Sequence, residues 1–181
     1  MGVAGSLLLI RDAGPDDLPA ILRITNDAIE NTDALWITTP FTLEQRRQWF
    51  TDRTMQGYPV LVAVDAAGEI AGYGSYGSFR AYEGYARTVE HSVYVAPNYQ
   101  RRGIGRLLLR ALVEHAKAAD FHVIVAGITA DNAASVAMHR ELGFQNCGTL
   151  PQVGRKCGRW LDLLFMTLRL DDIHTVEKDF S

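Results

Sequence analysis

The stretch PNYQRRGIGRLLLRAL, Pro97 to Leu112, sets three arginines and two glycines directly ahead of a run of leucines. A helix that starts here leaves its first N–H groups without partners, and its aligned peptide dipoles add partial positive charge. Gly103 and Gly105 lack the Cβ that would hold a ligand away, and they tolerate unusual dihedrals. Arg101, Arg102 and Arg106 add charge-assisted donors. Pyrophosphate is the ligand such a turn suits best. A P-loop is excluded, because it needs G-x-x-x-x-G-K-[ST] and no lysine here precedes a serine or threonine. The dinucleotide pattern G-x-G-x-x-G fails at Leu108, where its third glycine belongs. The residues by themselves leave two readings open: a phosphate cradle, or a helix start with a solvated basic face.

The elements that must position this turn follow from periodicity. LLLIRDAG reads as a first strand, and Pro15 opens a helix whose positive end suits Asp16 and Asp17. Leu18, Ile21, Leu22, Thr25, Ala28 and Ile29 make its apolar face. Thr42 and Gln45 form a capping box for a second helix through about Gln56, with Trp49 and Phe50 as packing residues. YPVLVAVD and EIAGYGSYGSF are strands joined by a turn at AAGE. FRAYEGYA is an aromatic loop. In the next strand, RTVEHSVYVAP, alternation puts Glu90, Ser92 and Tyr94 on one face and His91, Val93 and Val95 on the other. The arginine-rich turn then opens a helix through Ala119. FHVIVAGIT reads as a strand buried on both faces. Asn132 caps a last helix that Gly143 ends, and FQNCGTLPQV and RWLDLLFMTLRL are further strands.

Length and composition narrow the class. A chain of 181 residues with 48% hydrophobic residues fits one mixed α/β domain with a real core. The expected division is a flexible lead over 1–8, the domain over 9–170 and a polar tail over 171–181. A net charge of -3 argues against a nucleic-acid binder. Cys147 and Cys157 form no metal-ligand spacing, so no metal site is expected, and they read as reduced thiols of a cytoplasmic protein. The apolar run Leu7 to Ile10 is too short for a membrane span.

Several motifs in register now bear on the open question. Gln100-Arg101-Arg102-Gly103-Ile104-Gly105 matches the Q/R-x-x-G-x-G/A pattern of the GCN5-related N-acetyltransferases, and TVEHSVYVAPNYQRRGIG and NAASVAMHRELGF stand in that family's order. More narrowly, GYPVLVA, TVEHSVYV, NAAS, LGF, PQVG and GRWLDL resemble the branch that acetylates phosphinothricin, methionine sulfoximine and methionine sulfone. The resemblance covers Ile10 to Leu170. It implies a mixed, mostly antiparallel twisted sheet of about seven strands flanked by about four helices. It implies acetyl-CoA as co-substrate, with its pyrophosphate wrapped by Arg101, Arg102, Gly103, Ile104, Gly105 and Arg106. Main-chain groups of Val93, Tyr94 and Val95 would hold the pantetheine arm, with Asn132 and Ser135 near the mouth.

Acetyl transfer needs a neutral amine beside a thioester, so a base must take a proton from the ammonium, and the developing oxyanion wants a backbone N–H. Glu90, just before the cofactor-binding residues, is the expected base. Its alternative is a structural carboxylate paired with an arginine. His139 matches a histidine of the phosphinothricin branch and is a second catalytic candidate, or a packing residue. The resemblance places substrate contacts at Arg80, Ala81 and Tyr82 on one wall and at Glu90, His91 and Ser92 on the other, with Arg80 suited to a carboxylate. Ile37 and Phe79 depart from the branch, which has Asn or Asp after Trp36 and a frequent tryptophan at the second position; both bear on side-chain preference. Residues Gly154 to Trp160 resemble a segment at a homodimer interface. The partner expected is therefore a small amino-acid-like amine, with no nucleic acid and no membrane. Another amine (an aminoglycoside, a polyamine, a protein N-terminus) and a non-catalytic acyl-CoA-binding regulator are the alternatives.

Overall fold

The computed structural model describes residues 8–170; the flexible lead, the start of the first strand at Leu7 and the polar tail were expectations about residues outside that range. The described residues form β1 (Leu9–Asp12), α1 (Leu18–Asn31), α2 (Leu43–Met55), β2 (Val60–Val64), β3 (Ile70–Ser78), β4 (Thr88–Val95), α3 (Ile104–Ala118), β5 (Val123–Thr129), α4 (Ala133–Glu141), β6 (Gln145–Lys156) and β7 (Arg159–Arg169). Pro15–Asp17 is a 3-10 turn rather than the first turn of α1. Asp17 accepts the Gly14 N–H at 2.8 Å and pairs with Arg11, which fixes the entry to that helix. The Thr42–Gln45 capping box forms at α2. No described helix is long and apolar enough to cross a membrane.

The strands make one sheet in the order β1-β2-β3-β4-β5-β7-β6. Every neighbouring pair is antiparallel except β4 and β5. That parallel pair is short: it joins Thr88, Val89 and Glu90 to Val123, Ile124 and Val125 and then ends. Beyond Glu90 the two strands part. Their outer neighbours stay paired, β4 to β3 as far as Val95 and β5 to β7 as far as Thr129, so the sheet stays intact around the gap.

Apolar side chains pack on both faces. On one, α3 lays Ile104, Leu108, Leu109, Leu112 and Ala116 against Val89, Ile124, Ala126 and Met166. On the other, Leu18, Ile21 and Ile24 of α1 meet Val60, Val62 and Tyr73. Burying that much aliphatic surface on each side, at about 25 cal/mol per Å2, is what holds a splayed sheet together. The strands β6 and β7 form a hairpin whose tip is Cys157-Gly158, both at positive φ (47° and 79°), as its tight turn requires.

Candidate active site

The parting of β4 from β5 leaves main-chain groups without a strand partner. Phe79 and Ala96 each donate across the β3–β4 ladder, to Thr88 and Ala71. By antiparallel alternation, the even-numbered residues of β4 spend their N–H and C=O on β3, while those of Val93 and Val95 point into the gap. Tyr94, expected to share that role, is instead opposite Tyr73 on a pair bonded to β3. The gap has a volume of about 110 Å3 and is walled by His91 to Tyr94, Ala126 to Thr129 and the α4 side chains Ser135, Met138 and His139.

It opens on a groove of about 810 Å3 between the end of β4, the start of α3 and one side of α4. Val93, Val95, Gln100, Arg101, Gly103, Ile104, Gly105 and Arg106 line one bank, and Asn132, Ser135 and Met138 the other. Gly103 sits at φ 79°, where a Cβ is strained, and caps α3 with no side chain over its free amides. A Cβ on Gly105 would lie 3.3 Å from Met138 Sδ and 3.6 Å from Val95 Cγ2, closing the floor. Bare amides at a helix start, exposed arginines and room for an extended ligand fit a coenzyme diphosphate and its arm. Arg102 departs from the expected ring of donors: it does not line the groove, and its guanidinium lies 5.3 Å over the Tyr99 ring. Arg106 pairs with Glu141 at 3.3 Å across the groove. Asn132 caps α4, its Oδ1 accepting the Ser135 N–H at 3.1 Å. That use of the oxygen leaves its amide N–H groups for the groove it lines.

Glu90 stands at the last β4–β5 pair, on the face opposite the groove-lining side chains. A Cβ on Gly127 would come within 3.0 Å of Glu90 Oε1, so the carboxylate rests against a bare stretch of β5. Nothing in the sequence singled out Gly127; the signal was only a glycine inside a strand. Burial pushes the Glu90 carboxyl above the usual carboxylate range, and the nearby Arg80 charge opposes the shift. Arg80, Ala81 and Tyr82 lie on an exposed loop, Tyr82 being 77% exposed, so this loop forms an open rim rather than a lid. Tyr85 packs on Phe79, which packs on Phe165, with centroids at 5.8 and 6.3 Å.

His91 and His139, expected near the substrate and the reacting centre, pack against each other. The His91 ring turns to the α4 side and stacks on His139, which leaves only its main chain toward the Glu90 face. His139 Nδ1–H donates to Ser135 O at 2.7 Å, so its Nε2 accepts from His91 Nε2–H at 3.0 Å. Both nitrogens of His139 are thereby engaged. Burial lowers the proton affinity of both rings; for His91, burial first and the neighbouring His139 second together push it down to about 3. His115 of α3 is bonded to Tyr76 Oη at 2.7 Å.

The segment from Thr32 to Phe41 is pinned over this region. Thr129 Oγ1 donates to Asp33 O and accepts from Trp36 Nε1, and the buried Lys156 ammonium donates to Thr32 O and Leu35 O. Arg159 pairs with Asp33. Trp36 lies so close to Gly154 that no side chain fits there. Among the described residues there is no group of three or more His, Cys, Asp or Glu that could hold a metal.

Residues 21–144 match the Acetyltransferase (GNAT) family. The chain is 57% identical over 162 residues to the L-methionine sulfoximine/L-methionine sulfone acetyltransferase of Pseudomonas aeruginosa, covering 90% of this chain and 94% of that protein. Among solved structures, it resembles a ribosomal-protein-alanine N-acetyltransferase from Brucella melitensis at 55% identity and a TM-score of 0.87, over 89% of this chain and 99% of that one. It also resembles the phosphinothricin acetyltransferase of Sinorhizobium meliloti in complex with acetyl-CoA, at 36% identity and a TM-score of 0.87, over 90% and 88%. Splayed strands, a glycine-floored groove and these kinships converge: the chain belongs to the Acetyltransferase (GNAT) family and is an N-acetyltransferase that takes its acetyl group from acetyl-CoA.

Proposed function

We propose that this enzyme acetylates the α-amine of a small amino-acid analogue of the methionine sulfone, methionine sulfoximine or phosphinothricin type. One observation carries the reading: Glu90, which bears a carboxylate, is the last residue of β4 paired to β5, next in the chain to His91, where the gap that opens on the coenzyme groove begins. The names of relatives at 57% and 36% identity support the same substrate class.

Bound acetyl-CoA supplies an acyl group already activated as a thioester. The chain does the rest. Amides from Gly103 to Arg106, with the Arg101 and Arg106 side chains, hold the diphosphate; Val93 and Val95 hold the arm by their main chain, and Asn132 and Ser135 close the mouth. Glu90 takes a proton from the substrate ammonium, directly or through one water, and the β4 N–H groups that face the gap steady negative charge on the acetyl oxygen. Arg80 takes the substrate carboxylate, with Ala81 and Tyr82 on the same rim and Ser92 and the His91 main chain opposite. His139 acts by position, bracing β4 against α4. A homodimer completes this reading, since Tyr82, Leu150, Val153 and Trp160 are large exposed apolar groups that a second copy would cover.

The test is thiol release from acetyl-CoA with a panel of amines. Turnover of methionine sulfone or phosphinothricin well above that of other amines is expected. A second reading rests on the name of the Brucella structure at 55% identity: turnover confined to a peptide beginning with alanine would support it and overturn the first. A rise in melting temperature with acetyl-CoA but no thiol release would leave only a binding module.

A further inference from the structure

A third cavity, of about 180 Å3, lies behind Ser92 and Tyr94 on the Glu90 face of β4. Leu35, Ile37, Phe41 and Trp49 give it apolar walls, and Arg46 of α2 projects among them. Arg46 is 5% exposed, and its guanidinium lies 5.0 Å over the Phe41 ring and 4.6 Å over Trp49. Its Nε has no hydrogen-bond partner, and Arg46 forms no ion pair within 4.0 Å among the described residues. Buried charges in proteins are normally paired, because ring contacts recover only part of the lost hydration. The other polar side chains deeper in the wall are committed: Thr25 to Ile21 and Tyr73, and Gln45 to the Thr42 cap. Arg46 therefore faces a mostly apolar chamber with its buried Nε–H unpaired and no carboxylate paired to it among the described residues.

We propose that this chamber is the specificity subsite for the far end of the substrate, with Arg46 donating to oxygens carried by the terminal sulfur or phosphorus. The inference rests on the amino-acid reading above and deepens it. Amine and carboxylate sit on one carbon and so occupy Glu90 and Arg80, which are close enough for Arg80 to influence the Glu90 carboxyl. The side chain must leave that point along the face it shares with Ser92 and Tyr94, and these two residues border both the gap and the chamber. A methylene chain suits the walls, and a chamber of about 180 Å3 has room for several heavy atoms. Sulfone, sulfoximine and phosphinate heads share one property: oxygens rich in negative charge, which a guanidinium fork matches. A thioether head lacks them.

The experiment compares wild type with Arg46→Met, which keeps the stem between Phe41 and Trp49, on methionine sulfone and on methionine, substrates that differ only in two oxygens. Loss of charge-assisted bonds is expected to raise the sulfone KM roughly 30-fold and to erase most of the preference for sulfone over methionine. A sulfone KM within threefold of wild type, or an equal loss on both substrates, overturns the proposal. Acetyl-CoA must still raise the variant's melting temperature; if it does not, Arg46→Lys, which keeps the charge and loses the fork, replaces it with a smaller rise in KM expected. Should wild type turn over no amino acid, the proposed function fails. The chamber is then judged by whether methionine sulfone alone stabilises wild type more than the variant, equal effects counting against it.

Discussion

Glu90 is held at some expense to the fold. Its carboxyl titrates above the ordinary range because burial disfavours the charged form. The native state thus binds that proton more readily than the unfolded chain. Whatever stability the neutral carboxyl confers is present at low pH and lost as pH rises through the folded value. At neutral pH the ionised group therefore works against folding, and Glu90→Gln should leave the melting temperature unchanged or raise it while activity falls. A clear drop in melting temperature would instead mark Glu90 as a structural carboxylate. Gly127 is the counterpart on β5. Gly127→Ala puts a methyl against Oε1 at the one exposed position of β5. Activity should fall roughly tenfold or more, as for a misplaced catalytic group, with thermal melting nearly unchanged. Full activity in that variant would mean the carboxylate works from another position.

At the scale of elements, the gap exists because β4 and β5 pair over only three residues while their outer neighbours continue. The turn into α3 is the anion site proposed for the coenzyme, and its glycines matter for different reasons: Gly103 for its left-handed backbone, Gly105 for floor space. Gly105→Val should raise the KM for acetyl-CoA by about tenfold or more and weaken acetyl-CoA's stabilisation of the fold. Similar coenzyme kinetics in that variant would remove the groove from the account. Across the sheet, the His91–His139 pair ties β4 to α4. Since the His91 ring in the fold takes a proton only near 3, and unfolded histidine does so near ~6.5, the pair stabilises the fold above the higher value. That contribution is lost as pH falls between the two. The His91 imidazole proton resonances should not titrate between about pH 5.5 and 8; a midpoint near 6.5 for that ring would contradict its burial against His139.

Across the whole molecule, the order of strands and helices was legible because Pro97, Asn132, Gly143 and the Thr42–Gln45 pair punctuate clean periodicities. The glycine turn stood out from residue types alone, although these left a phosphate cradle and a solvated basic helix start both open. What remained hidden depends on contacts between residues far apart in the chain. The splay after Glu90 is set by pairing register, the His91–His139 bond spans 48 positions, and the Lys156 clamp reaches back 124 residues to Thr32. Arg102 read like its neighbours, yet Tyr99 draws it off the groove. Arg46 carried no signal at all, since one arginine in RRQW looks like solvated helix surface until Phe41 folds over it.

The proposed chemistry turns on a carboxylate that must lose its proton before it can accept another. The most direct test is the pH profile of kcat/KM for methionine sulfone in wild type and in Glu90→Gln. Wild type should show an acid limb above the ordinary carboxylate value of ~4.3. The variant should lose that limb together with roughly 100-fold or more in rate, while acetyl-CoA still raises its melting temperature. Two superimposable profiles would contradict it.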